Sequence, residues 1–160
     1  MFTYCLNNPV NGYDPNGMWT VAISIGLDMT LFFFGLAISL GISVDDDGNL
    51  AIQGSYCAPN YLNNNKTYYF GLADIGASGS FQWTDDDTIF DLEGPGTYIG
   101  GSAGVAQYFS ADLVYSGVTA DDVNSDALPN GFQINYGFGL GIDVHYRQTQ
   151  TETICVIFGG

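Results

Sequence analysis

Positive charge is nearly missing from this 160-residue chain: Lys and Arg together number 2, against 17 Asp and Glu, for a formal net charge of −15. Two cations cannot neutralise a phosphate backbone, so nucleic acid is excluded as a partner of the ordinary electrostatic kind. The same shortage disfavours docking on an anionic membrane surface. Charge of either sign is scarce, at 12% of residues against roughly 25% in an average domain. That scarcity argues against a halophilic adaptation, which raises total charge. Cysteine is limited to Cys5, Cys57 and Cys155, with no CxxC pair. An odd count without paired spacing argues against a zinc site and a disulfide framework, although Cys57 and Cys155 can pair if their strands are neighbours. Long apolar runs are also lacking. The longest, Leu31 to Ile38, falls far short of the ~20 residues of a spanning helix. No basic region and apolar stretch open the chain as a signal peptide would. Helical spacing never persists beyond a turn.

What is present is apolar, aromatic and glycine-rich: 46% hydrophobic, 15% aromatic and 22 glycines. The chain is too apolar to be disordered, and its glycines lack the three-residue period of collagen. After a turn-rich lead-in over residues 1–17, period-two alternation dominates. Val21, Ile23, Ile25, Leu27, Met29 and Leu31 share one parity, and Leu36, Ile38, Leu40, Ile42 and Val44 the opposite one. The switch predicts a turn or bulge near Phe33–Gly35. Asp45-Asp46-Asp47-Gly48-Asn49 reads as a hairpin turn before a strand over Leu50–Tyr56. Thr67 to Trp83 reads as one long strand or two short ones. Residues 85–96 read as a loop or a single helical turn that Asp85–Asp87 can cap. Tyr98 to Tyr115 favours strand, Thr119 to Asn130 is a polar loop, and Gln148 to Phe158 makes a last strand. The clearest alternation runs from Phe132 to Tyr146, a stretch long enough to need a bend at a glycine. The fold expected is all-β and antiparallel, a barrel or a two-sheet sandwich built as a meander of long hairpins.

The two faces of these strands differ in size more than in charge. One carries Val, Ile, Leu, Phe and Tyr; the other carries Gly, Ala, Ser and a few Asp. Two arrangements fit. In one, the bulky residues fill a soluble barrel or sandwich, and the small face is partly covered by another sheet or subunit. In the other, the bulky face points to lipid and the small polar face lines a lumen, as in transmembrane barrels. Aromatics spread along the strands rather than gathered in end girdles favour the first.

Tyr4-Cys5-Leu6-Asn7-Asn8-Pro9-Val10-Asn11-Gly12-Tyr13-Asp14-Pro15-Asn16-Gly17 resembles the closing YCxNNPVxxxDPxG signature of the RHS/YD-repeat core. The resemblance covers about a tenth of the chain. It implies a junction between a β-cage and a variable C-terminal domain, with residues 1–17 ending the core and 18–160 forming that domain. In that family Asp14 would be a catalytic aspartate, Pro15 and Gly17 complete the motif, and self-cleavage falls in the Gly17–Met18 region. The partner aspartate would lie upstream, so this chain alone is not expected to cleave itself. The resemblance further implies a polymorphic-toxin module, secreted or displayed at the cell surface as part of a larger protein, with a cognate immunity protein.

Candidate chemistry is sparse. His145, the single histidine, lies between Asp143 and Arg147 on the small face, where Asp143 can orient the imidazole and Arg147 can bind an anion. No GxSxG, HExxH or full-length DxDxDG motif accompanies them. Asp45, Asp46 and Asp47, like Asp85–Asp87 and Asp121–Asp122, offer carboxylate oxygens for Ca²⁺, and each cluster also reads as a turn or cap. Apart from Ca²⁺, no cofactor is expected. The first function expected is a non-enzymatic, all-β effector module acting by surface binding or self-association. A pore-forming β-barrel toxin is the second, and an enzymatic toxin using Asp143, His145 and Arg147 the third. The partners expected are a second copy, a membrane or cell-surface target and the immunity protein.

Overall fold

A computed structural model describes residues 18–31, 34–57, 68–118, 123 and 127–157. The junction residues Asp14, Pro15 and Gly17, Cys5, and the Asp121–Asp122 cluster lie outside these residues, so only Met18 of the junction motif falls within them. Every described element is a strand: β1 (Thr20–Leu31), β2 (Phe34–Asp45), β3 (Leu50–Cys57), β4 (Tyr68–Thr84), β5 (Gly94–Ser116) and β6 (Gly131–Ile157). The parity switch after Leu31 is a tight hairpin, with Leu31 opposite Phe34. The hairpin expected at Asp45–Asn49 forms with Gly48 at φ 81 and a Gly48 N–H donated to the Asp45 carbonyl at 3.1 Å. The stretch expected as one long strand or two short ones is, over its described residues, the single β4, and the C-terminal pair of expected strands is one continuous β6 of 27 residues.

The strands form one antiparallel sheet in the order β3-β2-β1-β4-β6-β5, and β3 also pairs with β6. That last pairing joins Leu50–Tyr56 to Gln150–Ile157 and closes the sheet into a barrel. Because β4 pairs with β6 over Gly131–Tyr146 and β3 takes over at Gln150, β6 changes neighbour along its length. Gly141, at φ 145, marks the bend anticipated within this strand.

β5 folds back on itself at its midpoint. Ala106 sits at φ 74, the left-handed region that a residue with a Cβ seldom occupies. A Cβ at Gly100 would overlap the Ala111 carbonyl and the Asp112 backbone, and one at Gly104 would overlap Gln107 and Tyr108. The two limbs of β5 therefore lie directly against each other, and glycine permits the approach. The wall passes in turn through β3, β2, β1, β4, the first part of β6, both limbs of β5 and the second part of β6.

The barrel is turned inside out relative to a soluble one. Ile25 is 71% exposed, Phe138 76% and Val105 83%, whereas Asp112 is 3%, His145 4% and Asp143 5% exposed. The expectation that bulky side chains fill the interior is thereby reversed. Register explains how the outer face becomes continuous. Ile23 lies opposite Ile42 and Phe81, and Met29 opposite Leu36 and Ile75; Ile75 in turn faces Leu140, and Leu140 faces Val105. Apolar rows thus cross from strand to strand around the wall. The small face points inward, where Gly, Ser and Ala let a tightly coiled wall close around larger polar groups.

At one end the segment between β4 and β5 crosses the barrel mouth. Thr20 Oγ1 donates to the Asp86 carbonyl at 3.1 Å on one side. On the other, Gln53 Nε2 donates to the Ile89 carbonyl at 2.8 Å and the Ile89 N–H donates to Asp45 Oδ2 at 3.3 Å. Ile89 is fully buried and stoppers this end. Burial, reinforced by the charges of Asp91 and Asp87, holds the Asp86 carboxyl above the usual carboxylate range, and Asn130 Nδ2 donates to it at 2.8 Å. The loop expected over residues 85–96 is shorter, because Gly94 already opens β5; it contains hydrogen-bonded turns, with the Asp91 N–H donated to the Thr88 carbonyl and the Glu93 N–H to the Phe90 carbonyl, both at 3.0 Å, and Asp86 anchors it through Asn130.

Asp45 ties the stopper to the β2–β3 hairpin. Its oxygens also accept the Asn49 N–H at 2.9 Å and Asn49 Nδ2 at 3.0 Å. Asp45→Ala would strand these buried donors, and a loss of about 1–3 kcal/mol in denaturant titration is expected. Wild-type stability in that variant would show that the stopper is held elsewhere.

Candidate functional site: the polar lumen

Alternation sends every second side chain of each strand into the lumen. β1 contributes Asp28 and Thr30, β4 contributes Asp74, β5 contributes Ser102, Tyr108, Ser110 and Asp112, and β6 contributes Asn135, Asp143, His145 and Arg147. Polar groups held away from water need partners, and these residues supply one another.

The hydrogen-bond chain is continuous across four strands. Tyr108 Oη lies 2.8 Å from Asp28 Oδ2 and 3.1 Å from Asp74 Oδ2. Ser102 Oγ lies 2.5 Å from Asp74 Oδ2 and 2.9 Å from Asp143 Oδ1. His145 Nδ1 is 2.8 Å from Asp143 Oδ1, and its Nε2 is 2.5 Å from Asp112 Oδ1. Asp112 Oδ2 accepts from Ser110 Oγ and Asn135 Nδ2, both at 3.2 Å, and from Arg147 at 3.5 Å. Thr30 Oγ1 donates to Asp143 at 3.3 Å. The Arg147 guanidinium also stacks over Tyr98, 5.5 Å from the ring centroid, and Tyr98 Oη donates to Gln82 at 3.0 Å.

Beside this network the lumen holds a cavity of about 100 Å³, with Ser24, Ser39, Ser55, Ser78 and Ser80 on its walls. It has room for several waters and none for a large solute.

The trio singled out in the sequence is assembled in part. Asp143 and His145 are in contact, as period two requires, whereas Arg147 engages Asp112. Both of the first two are almost wholly enclosed. Asp112, Asp74, Asp28, Tyr108 and Ser102 escaped the sequence reading. Each is a lone polar residue on a small-residue face, and only pairing across β1, β4, β5 and β6 brings them together. The Asp45–Asp47 cluster divides. Asp45 is buried with its oxygens taken by Asn49 and Ile89, while Asp46 and Asp47 are exposed. Among the described residues, no group of three or more His, Cys, Asp or Glu side chains is arranged to hold a metal ion. Cys57 lies opposite Ala37 and Cys155 opposite Ile52, so no disulfide joins them; Cys57 is buried and Cys155 exposed.

No known protein family, curated protein or solved structure matches this chain.

Proposed function

We propose that the chain is a membrane-spanning β-barrel whose outer face contacts lipid and whose lumen carries a packed polar network. The observation that carries this reading is the inversion itself: contiguous Ile, Leu, Phe and Val rows outside, and carboxylates, hydroxyls and the histidine inside. In water an exposed apolar band of this extent is a liability; in a bilayer it is the required surface, and a closed sheet leaves no backbone edge unsatisfied. The dimensions agree. β1 and β2 are each 12 residues long, and a tilted strand of about 9–11 residues crosses the hydrocarbon core. Aromatics also gather at one rim, where Trp83 stacks on Phe132 at 6.0 Å between centroids and Trp19 lies exposed just ahead of β1. Such belts suit the membrane–water boundary.

The filled lumen separates this reading from that of a wide pore. Insertion is expected without release of large dyes. The small-residue face also lies inside, so on this proposal it is not a docking surface for a second copy. On this proposal the RHS-like leader would mark the barrel as the end of a longer exported chain.

Fluorescence of Trp19 and Trp83 in vesicles containing brominated lipids tests the reading. Both tryptophans should be quenched most by bromines near the headgroups, and vesicle-bound protein should resist extraction by high salt or alkali. Emission insensitive to brominated lipid, with the protein remaining in the aqueous phase, would end it.

A further inference from the structure

We infer that the lumen network carries excess protons shared among Asp28, Asp74 and Asp143 and relays protons along the barrel. The inference rests on the membrane-barrel reading and adds a transport activity to it.

A count of hydrogens carries the argument. Tyr108 Oη stands within hydrogen-bond distance of two carboxylate oxygens, on Asp28 and Asp74. Ser102 Oγ likewise stands between Asp74 and Asp143. Each hydroxyl owns one hydrogen. With all three carboxylates ionised, one oxygen–oxygen contact at each hydroxyl would face lone pair against lone pair. Two contacts are left so, one at each hydroxyl, and each needs an added proton, because a protonated carboxyl donates in its turn. A second observation places the deficit: Asp74 is 3% exposed, and its Oδ1 has no hydrogen-bond partner. A buried carboxylate oxygen left so is costly unless the group is neutral.

The surroundings are otherwise poor in cations. β1 presents Asp28, β4 presents Asp74, β5 presents Asp112 with Tyr98 and Tyr108, and β6 presents Asp143, His145 and Arg147. β2 and β3 offer the neutral Ser39, Ser43, Gln53 and Ser55. Arg147 is committed to Asp112 and the Tyr98 ring, away from Asp74.

The chain also has direction along the wall. Asp28 lies in register with Gly76 of β4 and Gly139 of β6, towards the Leu31–Phe34 end. Asp112 lies opposite Gln133, which faces Gln82, towards the Thr20–Thr84 end. A proton arriving on Asp28 Oδ2 passes to the Tyr108 oxygen as the hydrogen of Tyr108 passes to Asp74. Ser102 repeats the exchange between Asp74 and Asp143. When Asp143 holds the proton, His145 is the neutral ring with its hydrogen on Nε2; it takes the proton at Nδ1, becoming the imidazolium, and gives up the one at Nε2 to Asp112. At each relay one O–H or N–H bond forms as another breaks, so no charge is left behind. A cavity large enough for water lies beside Asp28, Tyr108 and Arg147.

The test reconstitutes the full chain in vesicles loaded with a pH-sensitive dye, under a valinomycin-clamped potassium gradient. Wild type should acidify the interior faster than empty vesicles while retaining calcein. Asp74→Asn and Tyr108→Phe, which keep side-chain shape, should insert yet fall to the empty-vesicle rate. Inserted wild type without proton flux, or inserted variants with undiminished flux, would overturn the proposal and leave the barrel reading standing. Potassium flux without valinomycin at a rate matching the proton flux would overturn it in favour of a general cation path. Absence of insertion, seen as absent tryptophan quenching, removes the barrel reading and this proposal together. If neither variant inserts, the infrared carbonyl stretch of the wild type near neutral pH decides. A protonated-carboxyl band supports the shared protons, and its absence refutes them.

Discussion

Leu40→Arg is expected to destabilise the barrel in lipid vesicles by about 2–4 kcal/mol, the usual effect of a cation at mid-bilayer on a lipid-facing strand position. Leu40 is half exposed and sits mid-wall, opposite Ile25 of β1, with apolar rows on either side. A guanidinium there must stay in hydrocarbon or bend the side chain a long way to reach water. Val44→Arg supplies the contrast. Val44 is next to the end of β2, opposite Val21, and the same charge there should cost only about 0–1 kcal/mol. Urea titration of vesicle-folded protein measures both. The depth gradient is the informative quantity. In a water-soluble barrel either arginine would replace an aliphatic group that is exposed (Leu40) or half-buried (Val44), with small effects on stability at both. Equal, small effects at the two positions would therefore sink the lipid-facing assignment.

A comparable loss is expected inside the barrel from His145→Ala. The imidazole bridges Asp112 and Asp143, and its two ring nitrogens can donate to both only as imidazolium. Removing it leaves two enclosed carboxylates facing a gap, with Arg147 at 3.5 Å as the remaining charge partner of Asp112. Stranding one side of a buried ion pair typically costs about 3–5 kcal/mol. The deficit should narrow as pH falls, since a protonated carboxyl no longer needs a cation. Denaturant titration of the variant across acid to neutral pH reads both effects. A variant of wild-type stability at neutral pH would mean that the bridge is dispensable.

The sequence reveals the strands almost residue by residue, because period two needs only the local pattern. Val21–Leu31 and Phe132–Tyr146 emerge within the strands found, and the bend expected at a glycine is Gly141. Which face turns inward was not legible in the same way. Alternation separates two faces but carries no sign, and the usual sign, charge on the outer face, is missing here on both. The informative residues were few: Asp28, Asp74, Asp112 and Asp143 all fall on the small face, where a solvent-facing surface would have carried Lys and Glu as well. Register hid two further features. Trp19, Trp83 and Phe132 are remote in the chain, so their gathering at one rim is visible only once β4 pairs with both β1 and β6. The Asp143–His145 contact follows from two-residue spacing, but Asp112 reaches His145 through the fold of β5 and could not be foreseen from order alone.

The seam between Leu50–Tyr56 and Gln150–Ile157 bears on biogenesis. Until Gln150–Ile157 is in place, Leu50–Tyr56 is paired with β2 alone, and on the membrane-barrel proposal its other edge would enter hydrocarbon unsatisfied. On that proposal the chain would not integrate piece by piece from its amino end, as helical hairpins do. Residues 50–56 and 150–157 would have to arrive together, their pairing acting as the clasp that commits the barrel to the bilayer.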